Sequence, residues 1–312
     1  MSKPQPAILP PRSLKLLTHK TLSPVNPKRV LILGAGGFLA PEILRVLTEN
    51  GVAVRAIGSK QIDLTEPDAS NKLAREISAE DVVIMAAALT PDKGRDIATL
   101  MKNLKMAENV CGALGHSKPS AFIYISSDGV YDARFSSLLS EESTCEPMDL
   151  YCLAHVAREK MLDATCRAAE IPLTLVRPCA IYGAGDTHNS YGPNRFIRMA
   201  HKDGKIKIFG GGEEKRHHVY VRDVAQIVYL CVVHGSTGII NAVTGDPITF
   251  GEVAEQIATL AGPTVTVENL PRGGPITHRC FDTTALTKAF PNFESTPFEK
   301  GLASTFSETA KA

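Results

Sequence analysis

Residues 30–44, VLILGAGGFLAPEIL, leave the chain few ways to fold. A strand of consecutive apolar residues has no polar side, so both of its faces must be covered. Gly34, Gly36 and Gly37 then turn the backbone, and FLAPEILRVLTENG continues as an amphipathic helix ending at Gly51. A strand covered on both faces and followed at once by a helix is the opening unit of a parallel sheet.

The alternation repeats. VAVRAIG, DVVIMAAA, AFIYISS and PLTLVRP read as further strands, with long helical stretches at 99–115 and 148–170 between them. Right-handed crossovers then give an α/β fold with a doubly wound parallel sheet of the Rossmann type. After residue 180 the rhythm breaks. IYGAGDTHNSYGPN, 181–194, reads as a long functional loop, and helices follow at 195–204, 222–235 and 250–262. The expected organisation begins with a flexible arm or surface strap at 1–27. A dinucleotide-binding domain follows at 28–180, completed by about 219–245. A smaller interleaved α/β substrate-binding cap takes 181–218 and 246–312.

Composition excludes several functions. A formal net charge of +1 provides no field to recruit nucleic acid or an anionic membrane. No apolar run reaches the length of a membrane span, and the N-terminus lacks a signal-peptide core. The seven cysteines are scattered with no CxxC pair, which points to a reducing, cytoplasmic setting. His188, His217 and His218 have no metal-ligand spacing around them, so no metal is expected.

Gly34, Gly37 and Ala40 give a GxxGxxA spacing between a strand and a helix. Glycines there allow the backbone to approach a pyrophosphate, which rests on the helix N-terminus beside Phe38 and Leu39. Gly58 stands where an acid would hold the ribose 2′-hydroxyl of NAD. Ser59 and Lys60, with Arg55 upstream, suit a 2′-phosphate, which favours NADP over NAD. Asp63 and Leu64 are expected along the adenine, and Ala86, Ala87 and Ala88 end the third strand near the cofactor.

These residues, with Asn103 in its helix, SSDGVYD at 126–132, Tyr151 with Glu159, RPCAIYG at 177–183 and EKRHHVYVRDVA at 214–225, carry a family likeness. The chain resembles the extended short-chain dehydrogenase/reductases of the NAD-dependent epimerase/dehydratase group, from about Lys28 to the C-terminal helix. NAVTGDPITFGEVAEQIA, 241–258, resembles the segment that follows in those enzymes. The resemblance implies that Ser127 orients the reacting oxygen and that Tyr151 moves its proton. Pro178 and Ile181 are then expected beside the nicotinamide. Tyrosine can serve as acid or base only if its pKa of about 10 falls toward neutrality, which a nearby cation achieves. The family places lysine four residues after the tyrosine, and here His155 stands there. Lys160 points to the opposite helix face and cannot substitute. Three readings follow: an enzyme in which His155 tethers the ribose, a cofactor-binding protein without catalysis, or an enzyme whose acid–base groups come from elsewhere.

The resemblance also narrows the reaction. The 4,6-dehydratases carry Asp then Glu after the hydroxyl residue; here Asp128 is present and Gly129 replaces the Glu, which disfavours that class. TPDKGRD at 90–96 looks like the 4-ketoreductases, and the C-terminal half looks like the 4-epimerases. Arg216 falls where the family grips the substrate diphosphate, with Arg272 or Arg279 as a second cation and Asn194 near the nucleotide. Ala180 departs from the asparagine common there. The expected partner is a nucleoside-diphosphate sugar, with a non-sugar carbonyl substrate as the rival. The helices at 97–114 and 150–169 are those through which relatives pair, so a homodimer is expected.

Overall fold

Strand β1 (Arg29–Leu33) is apolar on both sides after its first residue, and the sheet places it in the interior. The structure is a computed structural model that describes residues 15–131 and 138–310. Residues 1–14 of the expected arm, Asp132 at the end of SSDGVYD, and 311–312 lie outside the described residues. Beside β1 run β2 (Val54–Ile57), β3 (Asp81–Met85), β4 (Ala121–Ile125), β5 (Leu173–Pro178) and β6 (Gly238–Ala242). They form one six-stranded sheet in the order β6-β5-β4-β3-β1-β2. Every pairing is parallel. The order reverses between β1 and β3, and ligands of such sheets bind outside the carboxyl ends at that point.

Helices cover both faces. On one side α1 (Ala40–Glu49) packs with α6 (Val221–Val233) against Val30, Ile32, Ile84 and Ile123. On the other, α2 (Ala69–Glu76), α3 (Ile97–His116) and α4 (Leu150–Ala169) cover Leu31, Leu33, Val83 and Tyr124. Burying an aliphatic side chain of this kind contributes about 1.5–3 kcal/mol. A third core of Phe196, Ile206, Phe250, Val253 and Leu302 joins α5 (Pro193–Asp203), α7 (Phe250–Ala261) and α9 (Phe298–Thr309). Not all of 246–312 belongs to this unit. Leu286 of α8 (Thr284–Ala289) and Phe290 return to the α1–α6 core.

Residues 15–25 form a strap rather than a free arm. Leu17 N donates to Ile239 O (3.1 Å) and Ile239 N to Lys15 O (3.0 Å), so the chain covers edge strand β6. His19 pins it by donating from Nε2 to Ala289 O (2.9 Å) while its Nδ1 meets the Ser236 hydroxyl (2.8 Å).

Candidate active site

The glycine loop closes on the end of β3 because Gly34 lacks a side chain. Its φ is +102°, and a Cβ there would lie 2.7 Å from Ala87 N. Gly36 faces open space, and Leu39, the N-cap of α1, puts no side-chain cap on the helix's first N–H groups. Open room above bare backbone donors is what a pyrophosphate requires. Phe38 reaches across to Gly183. Gly34→Ala should therefore weaken NAD(P) binding at least about tenfold, since both the strained φ and the clash push the loop off Ala87. Fluorescence titration checks this, and wild-type affinity in the variant would remove the crevice as the cofactor site.

At the end of β2, Ser59 and Lys60 are exposed beside Gly58, whereas Arg55 spends its charge on Glu76 (2.7 Å). Asp63 accepts from both the N–H (2.9 Å) and hydroxyl (2.8 Å) of Thr65. Asn109 of α3 holds the carbonyls of Leu64 and Glu66, a residue the sequence reading missed. Asn103 clasps Leu89 through both its N–H and its carbonyl, which fixes the segment after Ala86–Ala88.

Ser127 and Asp128 lie in the turn after β4. Ser127 Oγ accepts from Gly129 N (3.0 Å). A Cβ on Gly129 would lie 2.6 Å from Cys152 Sγ, so Cys152 occupies the room a longer side chain would need. Asp128 is engaged by Arg279, whose Nε lies 3.0 Å from its carboxylate and whose Nη2 donates to its carbonyl.

Tyr151 and His155 share one face of α4, with ring centroids 4.7 Å apart at 80°. Among the described residues no hydrogen bond engages the Tyr151 hydroxyl. Burial pushes Tyr151 up, and the neighbouring Tyr124, Cys152 and Asp128 add to it; Arg158 opposes them. His155 is 2 % exposed, its Nδ1 lies 2.7 Å from the Tyr124 hydroxyl, and its Nε2 has no partner. Among the described residues the Tyr124 phenol has no other acceptor, so it donates to Nδ1 and leaves the imidazole proton on Nε2. Burial, and then the Arg158 guanidinium, lower its pKa to about 3, so the ring is neutral.

Beneath this face lies a buried ion pair. Arg177 of β5 donates to both oxygens of Glu159 (2.8 and 2.6 Å), and Ser126 Oγ donates to the same carboxylate (2.6 Å). On the far side, Arg216 and Arg279 lie side by side on bridged backbone, with Arg216 Nη1 donating to Thr277 O (2.6 Å). Arg272 is not with them; it pairs with Glu213 and Glu214. Asn194 accepts from Gly183 N (3.1 Å), so it shapes the start of the 183–192 loop. His188 in that loop reaches Asp92 Oδ1 (3.2 Å) and lies 6.5 Å from the Tyr151 ring. Pro178 ends β5, and Ile181 sits in the short strand Ala180–Tyr182 that pairs with His218–Tyr220.

A glycine turn at the switch point of a doubly wound parallel sheet defines a dinucleotide-binding α/β protein, here of the short-chain dehydrogenase/reductase type. Residues 30–242 match the model of the NAD dependent epimerase/dehydratase family, and the chain belongs to it. Among curated proteins it is similar to the dTDP-4-dehydrorhamnose reductase of Aggregatibacter actinomycetemcomitans. The two are 26% identical over 291 residues, covering 84% of this chain and 93% of that one. It is also similar to the mouse (Mus musculus) dTDP-D-glucose 4,6-dehydratase, at 23% over 259 residues, or 75% and 73% of the two chains. The fold matches a GDP-L-fucose synthetase from Naegleria fowleri bound to NADP. The TM-score is 0.81 at 18% identity, over 93% of this chain and 96% of the other. It also matches a UDP-glucose 4-epimerase from Thermus thermophilus in complex with NAD. There the TM-score is 0.79 at 20% identity, over 91% and 99%.

Proposed function

We propose that the chain is an NAD(P)-dependent epimerase or ketoreductase acting on a nucleoside-diphosphate sugar. The observation that carries this is the pair Arg216 and Arg279 beside the Ser127–Asp128 turn. Two adjacent guanidiniums repel, and burial followed by Arg279 lowers the Arg216 pKa. A diphosphate relieves that repulsion and can accept from both forks. Arg279 also grips Asp128, so the diphosphate handle and the Ser127 turn move together. Curated relatives that act on dTDP- and GDP-sugars support the same substrate class.

The dinucleotide fits between Gly34, Ala87 and His155, and when bound it accepts or supplies hydride. Tyr151 takes the proton from the sugar hydroxyl, or returns it, while Ser127 holds the same oxygen. His155 tethers the ribose in this reading by turning its Nε2–H, buried in the structure, out toward the crevice. Exposed Ser59 and Lys60, with Gly58 where an acid would otherwise stand, favour NADP over NAD. Asp128 bound to Arg279, and Gly129 closed off by Cys152, leave elimination without a free acid–base pair, so dehydration is disfavoured although dehydratases are among the relatives.

The test incubates the protein with NADP or NAD and a set of UDP-, dTDP- and GDP-hexoses, separating epimers by chromatography, and with NADPH or NADH and the corresponding 4-keto sugars, following absorbance at 340 nm. Arg216→Met should raise KM at least about tenfold with kcat little changed, because it removes binding common to ground and transition states. Equal KM in that variant would favour a non-sugar carbonyl substrate. Two copies pair, in this reading, through α3 and α4, where Ile97, Met101 and Leu153 are exposed apolar residues. Light scattering should give twice the chain mass for wild type and a monomer for Met101→Glu with Leu153→Glu; a wild-type monomer refutes the pairing.

A further inference from the structure

Arg158 is a cation where nothing charged was expected. It lies on α4 two turns after Tyr151, on the same helix face, and its side chain is fully buried. Nη2 donates to Ala87 O at the floor of the cofactor crevice, and Nη1 lies 3.4 Å from Asn103 Oδ1. Among the described residues its Nε has no partner, and it forms no ion pair with a carboxylate. The nearest acid along the helix, Glu159, is committed to Arg177. Burying a charge without a counter-charge is costly, so a position that keeps one invites a function.

The guanidinium lies 5.0 Å from the centroid of the Tyr124 ring. Tyr124 in turn meets His155 at 2.7 Å, and His155 stands edge-on to Tyr151. Arg158, Tyr124, His155 and Tyr151 thus form one contiguous stack from the crevice floor to the reaction site. His155 cannot hold a proton beside this guanidinium in a dry pocket, so the stack has room for one cation. We propose that Arg158 is that cation: it takes over from position 155 the task of favouring the Tyr151 phenolate, leaving His155 as a neutral hydrogen-bond donor. Arg158 is a positioning residue, acting on Tyr151 through its field and through Tyr124 and His155. The proposal rests on the reading of Tyr151 as the acid–base group.

The experiment titrates phenolate absorbance at 295 nm in the full-length protein saturated with NADP, with Tyr151→Phe subtracted to isolate Tyr151. Arg158→Met should raise the Tyr151 pKa by about half a unit, less than the loss of an opposite charge in direct contact, because Tyr124 and His155 lie between them. Arg158→Lys should recover most of that shift. His155→Lys added to Arg158→Met should recover it too, because it returns a charge to the neighbouring position. An unmoved Tyr151 titration in Arg158→Met, with only a lower Tm, overturns the proposal and makes the guanidinium a clamp on Ala87 and Asn103. Should Arg158→Met not fold, His155→Lys alone decides. A pocket already holding its cation resists a second, so Tyr151 shifts by less than about half a unit; a fall of a full unit or more would mean the charge was missing and overturns the proposal. Failure to turn over any nucleotide sugar would count against the function above and leave this titration intact.

Discussion

Tyr151→Phe should lower kcat by about 10²–10⁴-fold while leaving substrate and NADPH affinity within about threefold of wild type, the loss expected when a positioned acid–base group is removed. The substitution deletes one hydroxyl and keeps the ring, so the edge contact with His155 at 4.7 Å survives and the helix is undisturbed. That hydroxyl has no protein partner among the described residues, so its removal strands no buried group. The change therefore reads chemistry rather than folding. Ser127→Ala should cost less, because Ser127 Oγ shares its capacity with Gly129 N. His155→Ala should lower stability by about 1–3 kcal/mol, because it strands the buried Tyr124 hydroxyl, and weaken cofactor binding by one hydrogen bond worth about 0.5–1.5 kcal/mol. Steady-state kinetics with separate binding titrations distinguish the three. If Tyr151→Phe keeps a tenth or more of the turnover, the acid–base groups come from elsewhere in the site.

How much of this was legible depended on whether a residue's role was local. The sheet strands were legible because a strand buried on both faces must be apolar throughout, and VLIL, VVIM and LTLV announce themselves. Helix α2 was not, because ASNKLARE buries only Ala69 and Leu73, too few positions for a helical period to stand out. The strap at 15–25 depends on partners far away in sequence, which no local pattern encodes. Tyr151, Ser127 and the histidine at 155 stood out as candidates through motif spacing, and the structure sets the tyrosine and histidine on one face of α4. What that histidine does was not legible, because its state is set by Tyr124 on β4 and by Arg158. The spacing of Arg158 from Tyr151 was available as a signal, since residues seven apart share a helix face. A charged residue there reads by default as solvated, and only the packing of α4 against α3 and β4 reveals that it is not. Arg272 illustrates the converse: a plausible diphosphate ligand by position, it is held by the two glutamates of its own neighbourhood.

Breaking the buried pair below the site should produce the largest loss of stability. Glu159 and Arg177 are each 4% exposed at the side chain and meet through two parallel hydrogen bonds. Glu159→Gln leaves the guanidinium buried without its counter-charge, and Arg177→Met leaves the carboxylate in the same position. Each should lower the unfolding free energy by about 3–5 kcal/mol, a large part of the roughly 5–15 kcal/mol that a domain possesses. The damage spreads because the pair is shared. Ser126 Oγ ends on Glu159, and Arg177 Nη1 donates to the Tyr131 hydroxyl (2.9 Å), which donates to Asn241 on β6 (2.7 Å). Three strands and α4 are thereby tied at one depth, directly under Ser127. A double variant, Glu159→Gln with Arg177→Met, removes both charges and should cost clearly less than the sum of the single changes. Urea denaturation of the four proteins tests this as a cycle, and simple additivity would refute the coupling. The double variant should still lose turnover, because Ser126 and Tyr131 lose their anchors and the Ser127 turn is no longer fixed. A protein restored in stability but not in activity would separate what the ion pair contributes to the fold from what it contributes to the site.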